Sequence, residues 1–226
     1  MLLNVRLQLG EAYFMEEDKR SRLLATATEL FARKGFSAVS VRELAIGAKC
    51  NVAAVSYYFN GKEGLYQAVL EEQLAPILAA LQSVKNRVDL SPVDRLAFYA
   101  DQIANIHGTR PCLACFIMSE MINPTECGGE TIQRHISQAY QFMFEAIATG
   151  IKEGFFRSDL NVNFTAVSLA GILNFFFLMK PLIQKNVPLS PQSNEEYTAH
   201  AFQVFLQGIL PPDDKACINI SEQERK

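Results

Sequence analysis

The sequence predicts an all-α chain of about nine helices, and three observations carry that expectation. Apolar residues recur at helical spacing from about residue 20 onward, no run alternates apolar and polar residues as a half-buried strand would, and no short repeat recurs. Clusters of Gly, Pro, Asn and Ser divide the chain at regular intervals. At 226 residues, with 49% hydrophobic content, it is long enough for a small N-terminal domain and a second unit with its own core.

The first helix carries an apolar stripe, Leu23, Leu24, Ala27, Leu30 and Phe31, closed by Lys34, Gly35 and Phe36. Ser40 followed by Glu43 has the spacing of a capping box, so a short amphipathic helix should begin near Val41 with Val41, Leu44, Ala45 and Ala48 on one face. Asn51 is a good N-cap for another short helix. That helix should turn Val52, Val55 and Phe59 to the core and Ala53, Ala54, Ser56 and Tyr57 outward. Two short helices about three residues apart make the helix-turn-helix pattern, in which the first braces on the phosphate backbone and the second lies in the major groove.

A helix from Lys62 carries Leu65, Val69, Leu74 and Leu78 and is expected to kink or break near Pro76, where a ring replaces an amide donor. Further helices are expected at about 93–107, 112–122, 130–153, 163–185 and 194–209. The resulting division is an N-terminal arm (1–17), expected to be flexible or to make an accessory contact; a three-helix domain holding the helix-turn-helix (18–66); a helical body (67–210), the part to which the resemblance given below assigns effector binding and dimerisation; and a polar tail (211–226).

Charge follows this division. The whole chain is −3, yet Asp18 to Tyr66 holds eight Lys or Arg against four Asp or Glu, which makes that segment +4 and the remainder −7. A basic head on an acidic body orients the protein on DNA. The first 20 residues show no signal peptide, with no long apolar core and no small-residue cleavage site, and Met15 is a possible natural start. The richest apolar run, Phe164 to Met179, meets Lys180 and Pro181 short of the roughly 20 residues a membrane span needs. The expected location is cytoplasmic, with no membrane partner.

Residues 20 to 66 resemble the DNA-binding domain of the tetracycline-repressor (TetR) family of bacterial transcription regulators. The resemblance lies in the first apolar stripe, the Ser40–Ala48 helix, and Tyr57, Tyr58, Phe59, Lys62, Glu63 and Leu65, which are similar to the family's closing motif. One departure is Lys49, where the family usually has Gly. If Lys49 has positive φ it costs on the order of 1 kcal/mol, and either the turn is shaped differently or the lysine is kept to touch phosphate. The resemblance implies a double-stranded DNA operator as partner, with Ser40, Arg42, Lys49, Asn51, Ala53, Ala54, Ser56, Tyr57, Tyr58 and Lys62 at the interface. Phosphate contacts fall to Tyr57, Lys62 and, less clearly separated from packing or surface roles, Tyr58 and Arg42; Ser56 and Ala54 are candidates for base contact.

The same resemblance implies a near-palindromic operator, a two-fold homodimer through the last two long helices, and release by a small-molecule effector held in the helical body. The run at 164–183 is apolar nearly all round, and Phe175, Phe176, Tyr197, Phe202 and Phe205 are the candidate dimer-interface residues. His107, Phe116, Glu120, Tyr140, Phe144 and Asn174 are candidates for the effector pocket, though aromatic residues at helical spacing also serve as plain core. Ser119 to Thr125, SEMINPT, is similar to a Glu-plus-Pro motif of the CecR-like branch.

Other chemistry is open at this point. Cys112, Cys115 and Cys127, flanked by His107 and His135, leave a cysteine-based redox or metal sensor of the same fold as the alternative. One close pair is less than a structural zinc site usually has, and no metal or cofactor is assigned; Cys50 and Cys217 are given no role. No Gly-rich phosphate loop, nucleophile elbow or HExxH pair occurs, so the chain is not expected to be an enzyme. A helical binding protein with a vestigial reading head is the remaining alternative.

Overall fold

In the computed structural model, residues 2–85, 87 and 89–212 are described, with side chains from Asp18 onward. Among the described residues all regular structure is helical: α1 (Leu2–Lys34), α2 (Val41–Gly47), α3 (Val52–Phe59), α4 (Lys62–Lys85), α5 (Pro92–Thr109), α6 (Leu113–Ile122), α7 (Gly129–Lys152), α8 (Val162–Ile183) and α9 (Ser193–Ile209). The all-α expectation and the positions of the five later helices hold to within two residues. Residues 2–17 are helical backbone continuous with α1. The expected arm there, and most of the expected tail with Cys217, lie outside the residues whose side chains are described.

Local chemistry explains the helix ends. Gly35, at φ 78°, stops α1 and donates to the Phe31 carbonyl at 2.8 Å. Ser91 and Asp94 form a full capping box at the start of α5, with Pro92 in the first turn. Asn161 caps α8 through Phe164 N at 3.1 Å. Helix α4 corrects one expectation, since it runs unbroken through Pro76. Proline removes a single amide donor, and the bonds on either side hold the helix together.

Two compact units emerge, and they differ from a division at residue 66. The first joins Met1–Leu74 to Cys115–Gln133; the second joins Ala75–Ala114 to Arg134–Lys226. The reason for the added segment is packing on α4. Tyr66 and Leu70 are buried, Tyr66 meets Phe116 at 6.1 Å between ring centroids, and a Cβ on Gly128 would come within 2.8 Å of Leu70. The core of the first unit is Leu23, Ala27, Phe31, Leu44, Ala45, Val55, Leu65 and Tyr66.

In the second unit α9 packs on both α5 and α8. Leu169, Leu173, Phe176 and Phe177 of α8 are buried, with Ala201, Phe205 and Ile209 of α9 and Leu96, Tyr99 and Ile103 of α5. Helix α8 includes Lys180 and Pro181 and is, by length and composition, long and apolar enough to cross a membrane. The expectation that those two residues would cut the run short fails, because a proline near a helix end interrupts little and a terminal lysine fits the last turn.

Candidate nucleic-acid interface

The interface is built on α2 and α3. Leu44, Ala45 and Ala48 anchor α2, while Val55 and Phe59 anchor α3. Close approach between α1 and α2 depends on Gly47, where an added Cβ would meet Thr26 Cγ2 at 2.6 Å. Gly64 has the same role at the start of α4, since a Cβ there would fall 1.8 Å from the Phe59 carbonyl oxygen. These contacts fix the second short helix against its neighbours and leave one face outward.

Ser40 caps α2 by accepting from Glu43 N at 3.2 Å. The reciprocal half of the expected capping box is replaced. The Glu43 carboxylate instead accepts from Lys34 Nζ, and that hydrogen bond holds its pKa below the usual carboxylate value. Asn51 caps α3 through Ala54 N at 2.8 Å. Asn60, left-handed at φ 61°, closes the helix.

Lys49 has φ 53°, the left-handed conformation that Gly adopts at least cost. It closes α2 in a Schellman arrangement: Cys50 N donates to Ala45 O at 2.9 Å and Lys49 N to Ile46 O at 3.1 Å. The turn therefore keeps the backbone of a glycine turn with a lysine in it, and the side chain is exposed.

The outward face carries Arg42, Lys49, Asn51, Ala53, Ser56 and Tyr57, with Ala54, Tyr58 and Lys62 half-buried. Tyr57 is 73% exposed and packs edge-on against Tyr58 at 4.8 Å between centroids. Val52 corrects the expectation of a core position: it is 50% exposed, because the first turn of a short helix overhangs the core. Ile46 is also outward, at 69% exposure. Lys19, Cys50, Asn51, Ala53, Ala54, Tyr57 and Tyr58 line an open concavity of about 320 Å³, with the two alanines leaving room that larger side chains would fill. The sequence reading omitted Lys19, whose part in this surface depends on the packing of α1 and is invisible in local pattern. Lys62 begins α4 with its ammonium 4.3 Å from the centre of the Phe36 ring, and Arg20 sits 5.2 Å from that of Phe59.

The candidate effector residues fall into separate groups. Phe116 and Glu120 lie in the first unit, where the buried Glu120 carboxylate accepts from Tyr66 Oη at 2.7 Å, Thr125 N at 2.9 Å and Thr125 Oγ1 at 3.0 Å. Thr125 Oγ1 in turn accepts from Gly128 N at 2.9 Å. Burial, and then the bond to Glu120, push the Tyr66 hydroxyl pKa far above its ordinary value. Tyr66 and Thr125 were missed, for nothing in their local sequence distinguishes them from other polar helix and turn residues.

In the second unit His107 Nε2 is 3.2 Å from Asn174 Oδ1, and its ring stacks on Phe177 at 3.9 Å. Burial pushes His107 down to about 4, against an opposing effect of Asn174. Tyr140 donates to Asn163 at 2.7 Å and its ring lies 6.3 Å from that of Phe144. A separate groove of about 200 Å³ runs between α4, α5 and α7, lined by Leu78, Leu81, Arg95, Gln138, Phe142 and neighbours, none of them among the expected pocket residues.

Of the candidate dimer residues, Phe176 and Phe205 are buried within the chain and correct the expectation; Phe176 stacks on Tyr197 at 4.2 Å, whose hydroxyl donates to Ile172 O at 2.6 Å. Tyr197 and Phe202 are half-buried, and Phe175 is 60% exposed. On the same outward face of α8 as Phe175 stand Phe164, Val167 and Gly171, with Val204 outward on α9. The run Phe175–Phe177 divides because adjacent helical residues point about 100° apart.

Among the described residues the cysteines join no cluster of three metal ligands. Cys50, Cys112 and Cys127 are half-buried and Cys115 is exposed.

The family model of bacterial regulatory proteins, tetR family, matches residues 23–69. The probable HTH-type transcriptional regulator YttP of Bacillus subtilis is 45% identical over 216 residues, covering 91% of this chain and 100% of YttP. The HTH-type transcriptional repressor NicS of Pseudomonas putida is 24% identical, covering 70% of this chain and 74% of NicS. Among solved structures, the ketosteroid transcriptional regulator KstR2 of Mycobacterium tuberculosis has a TM-score of 0.71 at 20% identity, covering 85% of this chain and 95% of its own. A putative fatty acid metabolism regulator of Clostridium perfringens gives 0.71 at 18% identity, with 84% and 99% coverage. With a helix-turn-helix held in this geometry and a relative matched along its whole length, the chain belongs to the TetR family of bacterial transcription regulators and is not an enzyme.

Proposed function

We propose that the protein is a cytoplasmic homodimeric repressor that binds a near-palindromic DNA operator and is released from it by a small-molecule effector. The observation that carries this reading is the outward face of α3, which rises from a buried anchor of Val55 and Phe59 and is flanked by Arg42, Lys49 and Lys62. Ser40, Arg42, Lys49, Tyr57, Tyr58 and Lys62 contact phosphate, while Asn51, Ala53, Ala54 and Ser56 approach the bases. The +4 charge of this segment attracts the duplex, and the −7 carried by the rest disfavours other orientations.

Dimerisation uses the exposed face of α8 and α9, with Phe164, Val167, Phe175 and Val204 as its apolar centre and Phe202 and Tyr197 at its edge. An apolar face of this kind on α8, a 22-residue helix, is better covered by a second copy than by water. Effector binding belongs to the second unit, where His107, Asn174, Tyr140 and Phe144 supply polar and aromatic groups. Glu120 and Phe116 hold the first unit together instead, since the Glu120 carboxylate already accepts three hydrogen bonds. Repression rather than activation is supported by the relative NicS, described as a repressor.

Selection of the purified protein on random duplex DNA, followed by anisotropy titration of the winner at several salt concentrations, tests the reading. An inverted repeat bound by a dimer is expected, with Lys62→Ala lowering the salt slope by about 0.9 per subunit. Enrichment of single, unrepeated sites bound by monomers would refute it.

A further inference from the structure

The recognition helix lacks the side chains that read bases by paired hydrogen bonds. Val52–Phe59 contains no Arg, Lys, Gln, Asn, Asp or Glu, so neither the bidentate guanine contact of Arg or Lys nor the bidentate adenine contact of Asn or Gln is available from it. Asn51, just ahead of the helix, has its side-chain oxygen committed to Ala54 N at 2.8 Å. An adenine contact through both atoms of that amide would require giving up the cap.

What the first turn offers instead is apolar. Val52 is 50% exposed, and Ala53 beside it is exposed. The N-terminal residues of the second helix are those that meet base edges in a helix-turn-helix complex. Major-groove edges carry one apolar group, the thymine C5-methyl. A cytosine at the same place carries only C5–H where thymine has its methyl, so it forfeits that apolar contact.

We propose that sequence discrimination by α3 rests on contact of Val52 and Ala53 with thymine C5-methyl groups, so that each operator half-site is A·T at the positions these two residues cover. The proposal deepens the operator-binding reading and rests on it. Ser56 and Tyr57, the outward hydroxyls further along the helix, accept several base or phosphate partners and add position more than identity.

The test uses the full-length dimer and the operator obtained by selection. Each thymine is replaced in turn by deoxyuridine, which removes the methyl group and leaves every hydrogen-bonding group in place. Replacement at a covered position is expected to weaken binding about fourfold, the factor for withdrawing one CH₂-sized group from burial, and about 15-fold when both half-sites are changed. Val52→Ser should erase that difference at one position while leaving the salt slope unchanged. An operator whose affinity stays within twofold for every deoxyuridine replacement overturns the proposal and leaves operator binding intact. Failure to enrich any operator overturns both.

Discussion

Lys49 allows the strain in the helix-turn-helix to be separated from its use. Its φ of 53° places an L side chain in the left-handed region, at a cost of about 1–2 kcal/mol. Lys49→Gly removes that cost but gives the unfolded chain more freedom, which returns about 0.5–1 kcal/mol. A net stabilisation of about 0.7 kcal/mol is expected, or about 1.5–3 °C in melting temperature for a chain of this size. The sequence has no Trp, so circular dichroism is the readout. Because the Schellman hydrogen bonds from Lys49 N and Cys50 N involve backbone alone, they survive the change. The operator assay should move the opposite way: if each Lys49 touches one phosphate, the salt slope falls by about 0.9 per subunit and about 1.8 per dimer. Lys49→Asn, which tolerates the left-handed region and lacks the charge, should lose the same slope with a smaller gain in stability. A glycine variant less stable than the parent would refute the strain argument; an unchanged slope would remove Lys49 from the contact set.

Three further outcomes are expected. Phe175→Asp should give a soluble monomer by light scattering with weakened operator binding, because linked heads raise effective concentration, whereas Phe176→Ala should cost about 3 kcal/mol of stability through a cavity; a dimeric Phe175→Asp protein would place the interface elsewhere. Tyr66→Phe keeps the ring packed edge-on or tilted among Phe31, Phe36 and Phe116 but withdraws one donor from the buried Glu120 carboxylate, so a loss of about 2 kcal/mol in urea unfolding is expected, and a change below about 0.5 kcal/mol would show the bond to be dispensable. His107, lowered from 6.5 to about 4 in the folded chain, takes up protons more readily when unfolded, so its contribution is full above about pH 6.5 and declines as pH falls toward 4; the stability difference between wild type and His107→Gln should shift by about 3 kcal/mol across that window, and a flat difference would contradict the burial argument.

Much of the fold was legible because helices announce themselves locally. Ser40 and Asn51 act on amides three residues ahead, and Gly35 stops a helix at its own position, so these boundaries follow from short stretches of sequence. The outward placement of Ala53, Ser56 and Tyr57 and the burial of Val55 and Phe59 likewise follow from helical spacing. Val52 was misread because periodicity gives the direction of a side chain and says nothing of whether a neighbour is there to cover it. Glu43 was misread in part for a similar reason, since Lys34, nine residues away, reaches the carboxylate first.

The sequence by itself determined the helical class, the order of the helices and the limits of the five later ones, and the helix-turn-helix with its basic character, all of which depend on interactions spanning a few residues. Tertiary structure alone decided that Glu120 bonds to Tyr66 across 54 positions, that Phe176 turns inward while Phe175 faces out, and that the expected effector residues divide between two units. A carboxylate, a phenol and a phenylalanine ring each have several acceptable environments. Which one each occupies is set by the helix that packs against it, and local sequence does not encode that neighbour.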